Sequence, residues 1–322
     1  MNLVFIGSSK FGLRCLEVCF GLADIKVVGV VTAPRTFEIS YRPEGVENVL
    51  YADVAAFADS NCIPVRTLER SMNDKSLLDA VSNWRPDAFL VAGWYHMIPK
   101  SWRKISPAYG LHASLLPDYS GGAPLVWAII NGESETGITL FQMDDGVDSG
   151  PIAGQKIEPI APEDTIATLY DRIELRGLEL LRESLPQIAD GSLHLLPQDD
   201  SQRRVMPQRG PNDGLIDWAI DAIRIDRFIR AQTRPYPGAF SMLEGKPLHI
   251  WKAHPFEVAK DEITPGTVFL DPSIGYLVRC ANGALQLQEV SYESRTFTGT
   301  SLYQLLQEGG QRLGELPSCF GS

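Results

Sequence analysis

The chain has 322 residues, 44% hydrophobic and 21% charged, which leaves room for about two domains of roughly 150 residues each and excludes a largely disordered or collagen-like protein. No run approaches about 18 uninterrupted apolar residues, and the start MNLVFIGSSK lacks the basic region of a secretion signal, so a cytoplasmic protein without a membrane partner is expected. Twenty-nine basic against forty acidic residues give a formal charge of −11, which speaks against a large phosphate-tracking surface.

In chain order, apolar runs at 3–7 and 27–32 flank an amphipathic stretch at 11–20, which predicts strand, helix and strand. Cys15 and Cys19 lie four apart on that helix and read as buried thiols; with Cys62, Cys280 and Cys319 they form no C-x-x-C pair, so neither a disulfide framework nor a zinc site is expected. After an irregular stretch at 33–48, helices are predicted near 49–61 and 74–81. The continuous apolar run at 87–92 (DAFLVA) predicts a third strand in the centre of a sheet. Further strands at 110–114 and 136–143 flank a short apolar helix at 123–131. From 165 to 185, Ile166, Leu169, Tyr170, Ile173, Leu178, Leu181 and Leu185 recur near helical period behind Glu163 and Asp164, whose charge suits a helix start.

That helix closes a first domain, 1–190, and the polar stretch 191–213 reads as a linker. Beyond a helix at 222–233 come short alternating segments at 241–243, 248–252, 266–270, 276–280 and 285–290, separated by turn signals such as Asn282-Gly283. A small β-rich domain over 214–322 is expected. The fold class is therefore α/β: an open, mostly parallel sheet followed by a smaller β-rich domain.

The most suggestive stretch is 110–150, GLHASLLPDYSGGAPLVWAIINGESETGITLFQMDDGVDSG. It sets His112 just after one buried strand and Asp144, Asp145 and Asp148 just after the next. Ligands in open α/β sheets bind outside the carboxyl ends of strands, so a histidine and carboxylates delivered by two strand ends can meet there as base and orienter. By residue type alone, His112 reads equally well as a hydrogen-bonded structural histidine, and Asp144 and Asp145 as a solvated turn.

The run HASLLP, the following GGAP, the ETG at 135–137 and the D-x-G-x-D-S-G at 144–150 resemble the folate-dependent formyltransferases. The likeness extends to VFIG at the start, FLVAGWYHMIPK at 89–100, QRGPNDGLIDW at 208–218 and RAQTRPYPGAF at 230–240. It implies a Rossmann-like formyltransferase fold and attack of a primary amine on the formyl carbon of N10-formyltetrahydrofolate, with no metal. It also implies a catalytic Asn-x-His and a distant Asp. His112 and Asp148 match; Gly110 stands where the Asn would be. His112 is then expected to stabilise the oxyanion and move the proton, and Asp148 to orient it. At Gly110, either His112 with a backbone N–H or water serves the oxyanion, or another polar side chain fills the space, or the reaction is slow. The resemblance further implies a pteridine pocket framed by Gly93, Trp94, Tyr95, His96, Met97 and Ile98 and by Gln142, Met143, Asp144, Asp145, Gly146 and Val147. Ser114, Leu115, Leu116 and Pro117 would line the transfer channel, and Ser8, Ser9 and Lys10 would reach the acceptor. The turn Gly7-Ser8-Ser9-Lys10 is neither G-x-G-x-x-G nor a P-loop, which speaks against NAD or ATP chemistry.

Charge is the lever on the acceptor. From residue 208 onward the cations are matched by at least as many acids, and the loop TFEISYRPEGVENV offers only Arg42, with Arg35 just before it. Nucleic acid is therefore disfavoured. The segments GWYHMIP, GGAPLVWAIINGE and IRAQTRPYPGAF resemble bacterial sugar N-formyltransferases, so a nucleotide-linked amino sugar, used in lipopolysaccharide or other surface-glycan synthesis, is the expected acceptor. Methionyl-tRNA is the alternative, followed by a formyl-folate hydrolase or a non-catalytic relative. A homodimer is left open.

Overall fold

The computed structural model describes residues 1–39, 42–259, 262–307 and 312–314. Cys319 and the side chain of Arg42 lie outside the described residues. The chain forms two compact units, one from Met1–Pro124, Glu135–Pro159 and Tyr170–Pro207, the other from Leu125–Ser134, Ile160–Leu169 and Gln208–Ser322.

The first unit is built on a seven-stranded sheet. Its strands in chain order are β1 (Asn2–Ile6), β2 (Lys26–Thr32), then, beyond a separate hairpin of β3 (Thr36–Ile39) and β4 (Arg42–Glu47), β5 (Val65–Thr67), β6 (Ala88–Val91), β7 (Ala108–His112), β9 (Glu135–Gln142) and β10 (Ile152–Pro159); β8 (Ser120–Gly121) lies outside it. The spatial order is β10-β9-β7-β6-β1-β2-β5. Strands β5, β2, β1, β6 and β7 pair in parallel, while β9 and β10 close one side antiparallel. The expected central strand is β6, fourth of the seven. Its AFLV side chains are all buried, as required of a strand covered on both faces. Two strands of this sheet escaped the sequence: β5 has only three residues, and β10 (IAGQKIEP) is an edge strand whose apolar content is low. The stretch expected to be irregular holds the β3–β4 hairpin.

Helix α1 (Lys10–Gly21) starts where the Ser9 hydroxyl accepts the Gly12 N–H at 3.0 Å, and buries Cys15, Leu16 and Cys19. The two thiols are free, and burial pushes both well up. After α2 (Val54–Ser60) comes α3 (Lys75–Asn83), which starts at Asp74 and, with α4 (Lys100–Arg103), covers the sheet. There Leu77, Val81 and Trp102 pack on Val4, Ile6, Val31, Phe89 and Val91. Each such aliphatic or aromatic side chain contributes about 1.5–3 kcal/mol of burial. The Trp102 indole N–H donates to Met72 O at 2.6 Å.

The chain continues through α5 (Pro124–Asn131) and the long α6 (Ile166–Asp190), then β11 (Val205–Met206) and α7 (Ala222–Gln232). The second unit carries an antiparallel sheet in the order β12-β13-β16-β15-β14, with β17 on β16: β12 (Ala239–Leu243), β13 (Lys246–Phe256), β14 (Val268–Asp271), β15 (Gly275–Arg279), β16 (Ala284–Tyr292) and β17 (Arg295–Thr298). Its core packs Leu248, Ile250, Leu285 and Leu287 against Ile225 and Ile229 of α7 and Leu302 of α8 (Gly299–Gln307). Among the described residues, no helix is long and apolar enough to cross a membrane and no cluster of His, Cys, Asp and Glu could hold a metal ion.

Candidate active site

Strand β1 leads to β2 on one side, while β6 lies on its other side, so the carboxyl ends of β1 and β6 flank the crevice where open α/β sheets bind ligands. Strand β7 runs beside β6 with Val91 paired to Gly110, which brings His112 to the same edge. The acids arrive differently from the expectation. Strand β9 is antiparallel to β7, and Met143 N donates to Ala108 O at 2.7 Å. The end of β9 therefore lies at the amino end of β7, away from His112. The loop 143–151 must fold back over the sheet to bring its carboxylate to the histidine, because spacing alone does not tell the direction of a strand.

That return places Asp148 Oδ2 3.5 Å from His112 Nδ1, an ion pair when the ring is protonated. The same oxygen accepts the Gly121 N–H at 2.8 Å. On the other side of the ring, Nε2 stands 2.8 Å from Tyr119 O; a carbonyl can only accept, so this nitrogen carries the proton. Asp148 has φ +51, a left-handed conformation uncommon for a residue with a side chain. The rest of its loop supports that conformation: Asp144 Oδ1 accepts from Gly146 N at 3.0 Å and from Ser149 Oγ at 2.6 Å.

Gly110 points to the same face as His112, two residues on. A Cβ there would fall 2.4 Å from Met143 Cε and 3.3 Å from Phe141 Cε1. The space is filled by a thioether methyl rather than by a substitute polar side chain.

The residues expected around a pteridine divide. Gly93 has φ +61, and a Cβ on it would fall 1.8 Å from Ser9 Oγ, so the 92–98 loop rests on the turn after β1. Trp94 Nε1 and His96 Nε2 are buried without a hydrogen-bond partner among the described residues, and burial lowers the His96 pKa. Tyr95 OH reaches Asn48 Oδ1 at 3.2 Å, Ile98 is buried, and Met97 and Val147 are 69% and 51% exposed. Gln142 ends β9, with its N–H donated to Pro151 O. Asp145 is gripped by Lys100 at 2.8 Å and Arg103 at 2.5 Å; the Lys100 hydrogen bond first, then Arg103, holds its carboxyl down to about 2.

In the expected channel, Ser114 Oγ donates to Asp118 O at 2.7 Å, and Leu116 N donates to Thr139 Oγ1 at 3.1 Å. Leu115 packs beside Gly137, Leu116 is buried, and Pro117 follows in a cis bond. Ser9 is the α1 cap, Ser8 is buried with a hydroxyl that has no partner among the described residues, and Lys10 is exposed. Residues that sequence reasoning missed include Asn48, which ties Ser8 O and Tyr95 together, and Gln198, Arg203 and Arg204. The last three lie in the polar stretch 191–213, where nothing in the residue pattern distinguishes them from linker.

A Helicobacter canadensis N-formyltransferase, solved with folinic acid and dTDP-3-aminofucose, shares the fold at 19% identity over 89% of this chain and 98% of that one, with a TM-score of 0.63. Sequence relatives are nearer. The methionyl-tRNA formyltransferase of Geobacter sulfurreducens is 33% identical over 99% of this chain and 98% of the relative, and that of Geotalea uraniireducens is 34% identical over 92% and 91%. Three more bacterial relatives at 32–35% identity carry the same name. These full-length likenesses overturn the expectation of an amino-sugar acceptor. It rested on counts of cations against acids from residue 208 onward and in the loop after β2, and on three short segments, and the full-length relatives outweigh both. The formyl transferase domain family matches residues 2–185 and its C-terminal domain family residues 210–304, and the chain belongs to the folate-dependent formyl transferase family.

Proposed function

We propose that this N-formyltransferase carries the formyl group of N10-formyltetrahydrofolate to the amine of methionyl-tRNA. The observation that carries the acceptor is the 33% identity to a methionyl-tRNA formyltransferase along 99% of this chain. Cations stand near the site: Lys10, Arg35, Lys100 and Arg103 lie on segments that follow the carboxyl ends of β1, β2 and β6, and Arg203 and Arg204 lie against the site's loops, with Lys100 and Arg103 paired to Asp145, Arg203 to Asp200 and Arg204 to Asp118.

The unprotonated amine attacks the formyl carbon, forming a C–N bond and an oxyanion. Collapse breaks the bond to N10, the acceptor nitrogen gives up a proton, and N10 takes one, leaving tetrahydrofolate. His112 is assigned to oxyanion stabilisation and proton transfer and Asp148 to holding its ring, a pairing supported by their 3.5 Å approach. Folate would lie against the 93–98 and 142–147 loops, where the buried N–H of Trp94 and the His96 ring nitrogen offer unpartnered polar groups. Ser114 to Pro117 would border the path between the substrates.

The test is incubation of the full chain with N10-formyltetrahydrofolate and either methionyl-tRNA, uncharged tRNA or nucleotide-linked amino sugars, with products read by mass. Formyl on methionyl-tRNA alone, with binding that weakens steeply between low and moderate salt, is the expected result. Free formate with every acceptor unmodified, or no folate turnover, would overturn the proposal.

A further inference from the structure

Both nitrogens of His112 face loop atoms, and one segment far along the chain grips both loops. On the Nε2 side the partner is Tyr119 O. That loop is held by Arg204: its Nε donates to Asp118 Oδ1 at 2.5 Å, its Nη2 to Asp118 Oδ2, and its guanidinium lies 4.6 Å from the centre of the Tyr119 ring. Main chain reinforces the grip. Strand β11 pairs in parallel with β8, Ser120 N donates to Arg204 O at 3.1 Å, and Gly122 N to Met206 O at 2.9 Å.

On the Nδ1 side the partner is Asp148. Gln198 Nε2 donates to Asp148 O at 2.8 Å and to Gly150 O at 2.6 Å, so one amide spans the turn that carries the carboxylate. Its Oε1 is buried without a partner among the described residues, yet flipping the amide would set that oxygen against two carbonyls, so the orientation is fixed. Arg203 Nη2 adds a bond to Val147 O at 3.0 Å. The left-handed backbone at Asp148 persists only where neighbours over-determine it, and these carbonyl bonds are the neighbours.

We propose that residues 198–206 are a strap that fixes the two partners of His112, with Gln198, Arg203 and Arg204 as positioning residues for formyl transfer. The strap's hydrogen bonds go to the loops on either side of the ring; it sets where Tyr119 O and Asp148 Oδ2 stand, and through them the orientation of the imidazole. It rests on the reading of His112 and Asp148 as the transfer pair. Misplacing a catalytic group by about 1 Å costs on the order of 100-fold in rate, so the strap's loss should appear in kcat.

The experiment compares the full-length wild type with Gln198→Ala, Arg204→Ala and Arg204→Lys. The alanine variants are expected to lose about 10- to 100-fold in kcat with KM for both substrates changed by less than about 3-fold, and the pH dependence of kcat should move. Arg204→Lys, which keeps the charge but not the two-pronged grip, should recover part of the rate. The His112 imidazole signals, followed by NMR in the free protein, should move in Gln198→Ala and Arg204→Ala relative to wild type. Wild-type pH profiles and unchanged His112 signals in folded variants would overturn the strap. So would losses confined to KM or to thermal stability. A wild type without formyl transfer would sink the proposed function, while the His112 signals would still decide the strap.

Discussion

The methyl end of Met143 stands where a side chain on Gly110 would begin, 2.4 Å from the Cβ that residue lacks. Thioether and glycine therefore form a matched pair on the face that carries His112. Gly110→Asn alone forces the Met143 chain aside, and overpacking of this kind costs about 1–3 kcal/mol. Because the obstructing atom is the free end of a flexible side chain, the variant is expected to fold. Adding Met143→Ala should restore most of the stability and leave an amide beside the reacting carbon, where an oxyanion donor is worth about 100- to 1000-fold. The prediction is coupling: denaturant unfolding and kcat of the double variant should both exceed the sum of the single effects. Simple additivity would mean that the two positions do not share the space.

Removal of either member of the central pair tests the assigned chemistry. His112→Ala and Asp148→Asn are each expected to lower kcat by about 100- to 10,000-fold, the usual contribution of a positioned acid or base. Asp148→Asn keeps an oxygen for the Gly121 N–H and removes the charge facing His112 Nδ1, so circular dichroism and thermal melting should stay close to wild type. Turnover near wild type in either variant would show that the pair does not carry the transfer.

Much of the fold is legible in the sequence because its strongest signals are local. The continuous AFLV run needs apolar cover on both faces, and β6 lies at the sheet centre. The periodic leucines and isoleucines at 166–185 appear as α6. Strand direction is not local. Nothing in ETGITLFQ marks β9 as antiparallel, so the reason expected for the meeting of His112 and Asp148 differs from the route the chain takes, although the two residues do meet. Gln198 and Arg204 were illegible for a related reason: their partners lie 50 and 86 residues away, and a polar side chain that bonds a distant carbonyl or carboxylate leaves the same trace as one that meets water. The acceptor was misread because counts of cations and acids along a segment do not tell which of them the fold brings to the site.

Asp145 ties up two cations beside the 142–147 loop. Its carboxyl is held down to about 2, by Lys100 first and Arg103 next, so the contacts persist above the ordinary aspartate range and are lost only as the pH falls toward 2. Between pH 5 and 8 they stand unchanged. Asp145→Asn frees Lys100 and Arg103 of a counter-charge. With a tRNA acceptor, KM for methionyl-tRNA at low salt should fall about 2- to 5-fold and its salt dependence should steepen, since each added phosphate contact increases the slope. Measuring KM at several salt concentrations decides this. A flat response would place these cations away from the acceptor's phosphates.

His96 adds a pH dependence to stability. Its ring stands 5.1 Å from that of Phe37 and 5.3 Å from that of Trp94, and burial lowers its pKa below the ordinary histidine value of about 6.5. Below that pH the unfolded chain takes up a proton that the folded one refuses. Stability is then lost as the pH falls from about 6.5, until the folded ring also protonates. His96→Gln removes the difference between the two states at this position. The unfolding free energy of the variant, measured by denaturant at pH 7 and again at pH 5.5, should fall less on acidification than that of the wild type, by less than one proton's worth of slope. The effect should not vanish, because burial lowers His249 of the second unit in the same direction. An equal acid loss in wild type and variant would mean that the folded His96 protonates as readily as the unfolded one, and that the half-buried ring is not kept neutral by its surroundings.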